Sequence, residues 1–244
     1  MQNKQGWFII KHMRLSILIP AYNEELAIQE VMSEIKSLDL SSCGITEKEL
    51  IFIDDGSTDR TVEKAVSIIP ETKVIHHTRN QGKGGALASG IQHITGNIIL
   101  IQDADLEYRP SLYPLLLKPI MEGEADVVYG SRFLHKGRPK NMRLPYFLGN
   151  LFGAMIVNFL YGTRLTDPMT CFKVFKKNTL DGIKLTCKGF GTDVELTAKV
   201  TKKGFKIKEV GIPYKARTFK EGKKFHLLCS LNVLWSMIRY LFVS

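Results

Sequence analysis

Short strand-like runs alternate with segments of helical periodicity through the first half of the chain, and this alternation limits the fold more than any other feature. Five runs are apolar or β-branched: 15–19, 50–53, 73–76, 98–102 and 126–129. Between the first two, apolar residues recur at helical spacing from Ile28 to Leu38, with Asn23 as the expected N-cap. Strands that alternate with single helices form right-handed βαβ units. We therefore predict an α/β fold with a mostly parallel sheet and helices on both faces.

Length and cysteine content set the broad class of protein. At 244 residues and 44% apolar composition, the chain can bury one large core. Its four cysteines lie far apart without a C-x-x-C pair, which indicates neither a disulfide framework nor a zinc site, and we expect a reducing cytosolic environment. Residues 1–13 contain no run long enough for a secretion signal. The predicted units are an N-terminal tail at 1–13, a main domain at 14–224 and a C-terminal amphipathic helix at 225–244.

Charge is distributed unevenly between the two halves of the chain. Residues 1–130 carry 12 Lys and Arg against 18 Asp and Glu, whereas residues 131–244 carry 22 against 6. The formal net charge of the whole chain is +10. A basic half can face nucleic acid, anionic lipid or a phosphorylated substrate, and charge alone does not choose among these partners.

Carboxylates follow three of the strand-like runs. Segments 20–25 and 54–59 come after the first and second runs, and Asp103 and Asp105 come after the fourth. Because ligands bind outside the carboxyl ends of the strands in such sheets, we expect these loops to meet at one edge. Mg²⁺ and Mn²⁺ prefer hard oxygen ligands and are bound by one or two carboxylates together with substrate phosphates. The D-x-D pair therefore predicts a site for a divalent cation and a diphosphate, with Glu107 as a third carboxylate.

A glycine-rich segment at 80–86 precedes another helical pattern. Its glycines would let the backbone approach a ligand, and Lys83 would meet a phosphate or sugar near the helix N-terminus. The segment is neither a Walker A loop nor the G-x-G-x-x-G turn of dinucleotide folds. A ligand-facing turn and a plain glycine turn both remain consistent with this pattern.

The acidic, glycine-rich and basic motifs occur in a recognisable order. They are 16–25 (SILIPAYNEE), 54–59 (DDGSTD), 82–85 (GKGG) and 103–105 (DAD), followed by 130–133 (GSRF), 166–172 (TDPMTCF), 214–217 (YKAR) and 221–224 (EGKK). The first four resemble the family 2 glycosyltransferases of GT-A fold. The others resemble the polyprenyl-phosphate hexosyltransferases, including the dolichyl-phosphate mannose and glucose synthases. The resemblance covers residues 14–240.

The resemblance implies an activity and the residues of the donor site. The activity is a metal-dependent, inverting transfer of a hexose from a nucleotide sugar, GDP-mannose or UDP-glucose, to dolichyl or undecaprenyl phosphate. The cation would be Mg²⁺ or Mn²⁺, bound by Asp103 and Asp105 with Glu107 able to ligate it. Residues implied to bind the nucleotide sugar are Pro20, Tyr22, Glu24, Asp55, Lys83, Asp103, Ala104 and Asp105.

The resemblance also implies an acceptor site built from arginines. Arg132 and Arg217 would receive the acceptor phosphate, and Arg143 is a weaker candidate for the same task. A phosphate monoester has a second pKa near 6 and is mostly dianionic at pH 7, so its attack needs no strong general base. Arginines suit such a phosphate because their guanidinium groups are always charged and bind in a bidentate manner.

Three further acids have open roles. Asp167 is a base, an orienting acceptor or a cap for a helix-like segment after Pro168. Asp193 and Glu195 match the corresponding positions of relatives only loosely, and we expect them to be solvated acids at the start of a helix.

Two apolar segments predict contact with a membrane surface. Residues 144–163 contain no charged residue and are long enough to span a bilayer, but their prolines, glycines and asparagines favour an amphipathic element at the surface. In the C-terminal helix an apolar face includes Trp235 and Ile238, with Ser236 off that face. The basic segment 199–224 adds attraction to anionic lipid. We expect a peripheral protein at the cytosolic face of a membrane, held there by these helices or by a separate membrane-anchoring partner.

Two alternatives stand beside this function. A family 2 glycosyltransferase can instead act on a glycan, a lipid head group or a protein, although a neutral hydroxyl does not need the pair Arg132 and Arg217. The second alternative is a non-enzymatic basic binding module. No aromatic–basic stacking pattern or helix-turn-helix signal supports nucleic-acid binding, so we expect no nucleic-acid partner. No motif separates GDP-mannose from UDP-glucose.

Overall fold

The computed structural model describes residues 13–134, 137–189, 191–217 and 229–242. Within these ranges the strands are β1 Met13–Ala21, β2 Ile45–Asp54, β3 Lys73–His76, β4 Ile98–Ile101, β5 Val127–Ser131, β6 Lys173–Lys176 and β7 Ile207–Gly211. The α-helices are α1 Ile28–Ser37, α2 Thr61–Ile68, α3 Lys83–Ile91, α4 Tyr113–Met121, α5 Leu144–Tyr161, α6 Lys177–Leu180, α7 Thr192–Lys202 and α8 Cys229–Phe242. The predicted tail up to residue 12 and the 221–224 motif lie outside the described residues.

One sheet contains all the described strands, in the order β3-β2-β1-β4-β6-β5-β7. β1 is parallel to β2 and β4, β2 is parallel to β3, and β5 is parallel to β7. Only β6 runs antiparallel to its neighbours, β4 and β5. The predicted α/β class with a mostly parallel sheet is confirmed, and the five predicted runs correspond to β1 to β5.

Two apolar layers cover the sheet, one on each face. Leu15, Ile17 and Ile19 of β1 are fully buried in a layer that includes residues of α1, α2 and α4. Leu18 points the other way, as the two-residue period of a strand requires, and packs with residues of α3 and α7. Burying each of these side chains is worth about 1.5–3 kcal/mol. The strands, and the loops at their ends, are therefore held from both sides.

α5 and α8 lie against each other and against α7, and share a small apolar core that includes Val157, Val233 and Met237. Their outward sides are also apolar. The exposed large side chains on these two helices are Leu144, Leu148, Leu151, Phe152, Met155, Phe159, Trp235, Ile238 and Phe242. Among the described residues α5 is the one helix long and apolar enough to cross a membrane, and 17% of it is buried.

α8 has one apolar side toward the protein and another facing outward. Trp235 and Ile238, predicted on one apolar face, are 63% and 51% exposed. Ser236, predicted to lie off that face, is 5% exposed and is buried with Val233 and Met237. Because the helix is apolar on two sides, its sequence alone does not say which side faces the protein.

Asn23 does not cap α1, which contradicts the sequence prediction. The residue before α1 is Ala27, and no side chain caps the helix. Asn23 instead adopts a left-handed conformation with φ 50°, and its side-chain oxygen accepts a hydrogen bond from Thr58 N at 2.8 Å. It thereby joins the loop after β1 to the loop after β2, at the edge of the sheet where the acidic residues lie.

Candidate active site

The carboxyl ends of β1, β2 and β4 bring the three acidic loops to one edge of the sheet. Ala21 of β1 is in register with Asp54 of β2, and Leu18 with Ile101 of β4. A cavity of about 900 Å³ opens there. All the predicted donor, metal and acceptor residues line it, except Asp167 and the weaker candidate Arg143. The expectation that these loops converge is therefore confirmed.

Asp103 and Asp105 each face a cation of the chain itself. Lys83 Nζ lies 2.8 Å from Asp103 Oδ1, and Arg217 Nη2 donates a short hydrogen bond to Asp105 Oδ2. Burial raises the pKa of Asp105 to about 7, with a further contribution from Asp103, while Arg217 opposes this rise. Burial also works against ionisation of Asp103, but Lys83 brings the pKa of that carboxyl below its usual value. The two acids thus form a compact site in which each carboxyl group has a positively charged partner from the chain.

Glu107 makes other contacts in this structure. Its carboxylate accepts hydrogen bonds from Tyr214 Oη at 2.9 Å and from Arg217 N at 2.6 Å, so it holds the segment that carries Arg217. In the described part of the chain, no three His, Cys, Asp or Glu side chains are grouped in a way that could hold a metal ion. Asp103 and Asp105 fit a cation whose remaining ligands come from a diphosphate. Ligation by Glu107 stays a prediction.

Asp55 directly follows β2 and is 3% exposed. Its carboxylate accepts hydrogen bonds from Gln81 N at 2.8 Å and Gly82 N at 2.7 Å. His77 Nδ1 lies 2.7 Å from the same carboxylate, and the other ring nitrogen lies 2.9 Å from Ser89 Oγ. Asp55 therefore fastens the glycine-rich segment to β2. Its predicted contact with a nucleoside remains untested.

The glycines before and within α3 allow a close approach of the backbone at 187–188. A Cβ at Gly84 would lie 1.7 Å from Cys187 O, and a Cβ at Gly82 would lie 2.0 Å from Lys188 O. Gly82 also has a positive φ of 79°, which favours glycine. These two glycines thus admit the backbone at 187–188, and Gly82 also lines the cavity. Their packing sets the position of Lys83, whose side chain does reach the cavity.

Arg132, which lines the cavity, forms an ion pair with the buried Asp167. Arg132 Nε and Nη2 each lie 2.7 Å from a different oxygen of Asp167, which is fully buried. Arg132 Nη2 also donates to Asn150 Oδ1 of α5 at 3.1 Å, and the guanidinium lies 5.4 Å from the ring centre of Tyr214. The alternative in which Asp167 caps a helix after Pro168 is wrong, because residues 168–172 form turns and irregular backbone.

Asp193 and Glu195 are buried, which contradicts the expectation that they are solvated. They are 3% and 0% exposed. Asp193 Oδ1 lies 2.7 Å from the ammonium of Lys173, which is fully buried in β6, and its other oxygen lies 3.9 Å from Lys83 Nζ. Glu195 accepts a hydrogen bond from Cys187 N at 2.8 Å, so it supports the loop that packs on α3.

Lys173 was missed altogether, because a lysine at the start of a short strand normally indicates a surface position. No sequence motif marks it. It lies under the cavity, where Asp193 joins it to Lys83 and so to the D-x-D pair.

The remaining wall of the cavity is apolar. It is formed by α5 and α8 together with the loop after Arg164. The large apolar lining residues from these segments include Phe152, Met169, Val233, Leu234 and Met237. One continuous cavity is therefore lined by the D-x-D pair, of which Asp105 is buried, by two arginines and by a pair of helices whose outer surfaces are apolar.

Comparison with known proteins agrees with this geometry. Residues 16–183 match the model of Glycosyl transferase family 2. The dolichol-phosphate mannosyltransferase of Pyrococcus furiosus is 30% identical over 217 residues, which are 86% of this chain and 59% of that relative, so the chain spans about six tenths of its length. The undecaprenyl-phosphate mannosyltransferase of Micrococcus luteus is 28% identical over 220 residues, covering 86% of this chain and 87% of that relative.

Solved structures share the fold. The glucosyl-3-phosphoglycerate synthase of Mycobacterium tuberculosis, crystallised with Mn²⁺, uridine diphosphate and phosphoglyceric acid, superposes with a TM-score of 0.70 at 21% identity, covering 95% of this chain and 80% of that one. At this identity the likeness shows the fold alone. The family match covers more than half of the chain and includes the D-x-D pair. The chain therefore belongs to glycosyltransferase family 2 and is a glycosyltransferase of GT-A fold.

Proposed function

We propose that this glycosyltransferase moves a hexose, mannose or glucose, from a nucleotide sugar to polyprenyl phosphate at the cytosolic face of a membrane. The observation that carries the proposal is the continuity of the cavity. Acidic loops suited to a metal diphosphate and an apolar helix pair line the same cavity. Arg217 contacts Asp105 of the acidic loops and Arg132 contacts Asn150 of α5, so the two arginines connect the two parts. A lipid phosphate acceptor has the same order of chemical groups, with a charged head joined to an apolar chain.

The donor would lie along the acidic edge. Asp103 and Asp105 would bind Mg²⁺ or Mn²⁺ together with the diphosphate, and the bound cation would stabilise the charge that develops on the departing nucleoside diphosphate. Lys83 is close enough to Asp103 to add a positive charge at the same place. Pro20, Tyr22 and Asp55 would form the nucleoside end of the site.

The acceptor phosphate would be received by the two arginines. Asp167 holds Arg132 in one orientation, and Arg217 would exchange its contacts with Asp105 and Glu24 for the phosphate once a metal neutralises those acids. Since a dianionic phosphate attacks without prior deprotonation, the site needs no general base. Asp167, whose two oxygens both engage Arg132, is better suited to orientation than to proton transfer.

Membrane contact is supported by the outward faces of α5 and α8. Phe159, Trp235 and Phe242 are 87%, 63% and 84% exposed, which is unusual for large apolar side chains of one surface region. Such a face would lie at the boundary between head groups and acyl chains. These helices, or a separate membrane-anchoring partner, would hold the cavity next to its lipid acceptor.

Transfer of radiolabelled sugar into the lipid phase tests the proposal. GDP-mannose and UDP-glucose are each incubated with undecaprenyl or dolichyl phosphate, with Mn²⁺, with Mg²⁺ and with EDTA. We expect lipid-extractable label from one donor, abolished by EDTA and reduced at least ~100-fold in Asp105→Ala. Label that stays in the aqueous phase would contradict the lipid acceptor, and transfer that persists in EDTA would contradict the metal.

A further inference from the structure

Arg132 follows the last residue of β5 and is held along one edge of its guanidinium group. Asp167 Oδ2 accepts hydrogen bonds from Arg132 Nε at 2.7 Å and from Arg132 N at 3.0 Å, and Asp167 Oδ1 accepts one from Nη2 at 2.7 Å. These contacts do not include the third guanidinium nitrogen, Nη1. A planar guanidinium gripped along one edge cannot rotate freely, so Asp167 sets the direction in which the remaining edge meets the cavity.

Asp167 lies in irregular backbone, and Glu209 of β7 fixes that backbone. Glu209 Oε2 accepts hydrogen bonds from Thr166 N at 2.7 Å and from Thr166 Oγ1 at 3.0 Å. Its Oε1 accepts a hydrogen bond from Asp167 N at 2.7 Å. The Thr166 hydroxyl also lies 2.6 Å from Ser131 Oγ, on the residue directly before Arg132. Glu209 thus fixes Asp167 directly, and it fixes Thr166, whose hydroxyl contacts the residue before Arg132.

The position of Glu209 is unfavourable for a charged carboxylate. Burial raises its pKa, and the neighbouring carboxylate of Asp167 raises it further, while the hydrogen bonds from Thr166 and Asp167 lower it. A half-buried acid beside a second acid is stable only where hydrogen bonds compensate for lost solvation. The three hydrogen bonds that Glu209 accepts therefore fix the positions of Thr166 and Asp167.

We propose that Glu209 is a positioning residue for the acceptor end of the site. It fixes Thr166 and Asp167, and Asp167 holds Arg132 in the orientation in which the guanidinium meets the acceptor phosphate. Glu209 is absent from the described residues that line the cavity, so it acts through Arg132 rather than by touching substrate. The inference rests on the proposed function, in which Arg132 receives a phosphate monoester.

Steady-state kinetics of Glu209→Gln test this role. The amide keeps the shape of the side chain but turns one acceptor oxygen into an NH₂ group that faces a backbone N–H. We expect the KM for the lipid phosphate to rise about 10-fold, while kcat and the KM for the nucleotide sugar change less than about 2-fold. A parallel rise in the KM of both substrates, or a loss confined to kcat, would overturn the proposal.

A double variant separates positioning from general stability. If Glu209 acts through Arg132, adding Glu209→Gln to Arg132→Ala changes the acceptor KM less than about 2-fold. An undiminished 10-fold effect in that background would rule out action through Arg132. Glu124→Gln is the matched control, because its exposed carboxylate pairs with Lys208, the neighbour of Glu209 in β7, and we expect it to leave the acceptor KM unchanged. If Glu209→Gln does not fold, Thr166→Val removes the hydroxyl contacts with Glu209 and Ser131, keeps the two backbone hydrogen bonds to Glu209, and should raise the same KM about 3-fold.

Binding of methyl phosphate distinguishes failure of this inference from failure of the proposed function. Calorimetry with enzyme saturated in Mn²⁺ and nucleoside diphosphate measures the affinity for this simple monoester. Weaker binding by about 10-fold in Glu209→Gln supports the positioning role even if the wild type transfers no sugar to a lipid. Unchanged binding in Glu209→Gln, or no binding to the wild type, overturns the inference whatever the lipid assay gives.

Discussion

Lys173 and Asp193 form an ion pair whose ammonium is fully buried beneath the cavity. Removing one partner of a buried pair leaves an uncompensated charge and costs about 3–5 kcal/mol. We expect Asp193→Asn to lower the free energy of unfolding by this amount in urea denaturation. Asp126→Asn is the matched control, because Asp126 pairs with Lys176, which lies on β6 like Lys173. Both side chains of this pair are 32% exposed, so we expect the variant to lose about 0–1 kcal/mol of unfolding free energy. Equal losses in the two variants would contradict the burial argument.

Gly84 permits the tightest backbone approach in the donor region. A Cβ there would lie 1.7 Å from Cys187 O, which is backbone and cannot rotate away. We expect Gly84→Ala to destabilise the protein by about 1–3 kcal/mol. Gly149→Ala in α5 is the control, since a Cβ there meets nothing within 4 Å and helix propensity favours alanine by about 1 kcal/mol. Thermal unfolding of both variants measures the difference, and a stable Gly84→Ala would contradict the packing.

The site residues that sequence could predict are those in contiguous motifs. Asp103 and Asp105 follow an apolar strand within a few residues, so their place at the sheet edge could be predicted from local pattern. Lys173 and Glu209 could not, because their partners Asp193 and Thr166 are 20 and 43 residues away in the chain. Such pairs exist only once the fold has formed, and a single sequence contains no signal for them.

Glu49 of β2 connects three elements at the amino-terminal side of the sheet. Its carboxylate accepts hydrogen bonds from Ser16 of β1 and from the backbone N–H groups of Thr95 and Gly96, just before β4. Burial opposes its ionisation, but these hydrogen bonds bring its pKa below the usual 4.5. A lowered pKa means that the carboxylate stabilises the fold fully above about pH 4.5 and that this stabilisation is lost as the pH falls through the folded pKa.

Glu49→Gln should therefore cost about 1–3 kcal/mol of unfolding free energy at pH 7 and progressively less in acid. Chemical denaturation of the two proteins from pH 7 to pH 3 measures this difference. A gap that stays constant over the whole range would show that ionisation of Glu49 does not support the fold.

The outward faces of α5 and α8 predict binding to lipid vesicles. Burying one large apolar side chain contributes about 1.5–3 kcal/mol, so Phe159→Ser and Trp235→Ser should each weaken vesicle binding by about 10-fold. Leu115→Ser on α4 is the control, because Leu115 is also exposed but lies on a different helix. Sedimentation with vesicles that contain anionic lipid gives the affinities. If the α4 variant weakens binding as much as the other two, the membrane surface is wrongly located.

The first five strands could be predicted from the sequence, but the last two could not. β1 to β5 alternate with helical patterns, and each has a clear apolar run. β6 starts with the buried Lys173, and β7 contains Lys208 and Glu209, so neither strand shows an apolar run. Their pairing depends on the rest of the sheet: β6 inserts antiparallel between β4 and β5, and β7 pairs with β5 at the edge. Tertiary context rather than local propensity decides both.

The two oppositely charged halves of the chain line different parts of one cavity. The acidic first half supplies Asp55, Asp103 and Asp105, where we propose that the donor binds. The basic second half supplies Arg132, Arg217 and the apolar helices, where we propose that the acceptor binds. The surplus of lysine and arginine is spread over the second half of the chain, but only some of these residues line the cavity. Charge alone therefore did not identify a partner, because the proposed function depends on two of them, Arg132 and Arg217.

The proposed acceptor is a lipid phosphate, and a comparison of two acceptors tests this directly. With one nucleotide sugar and Mn²⁺, kcat/KM is measured for polyprenyl phosphate and for 3-phosphoglycerate, a soluble monoester related to the ligand found with the solved neighbour. Because burying each CH₂ of the lipid chain against the apolar wall contributes about 0.8 kcal/mol, we expect polyprenyl phosphate to be preferred by at least ~100-fold. Equal or greater activity toward 3-phosphoglycerate would contradict a lipid acceptor.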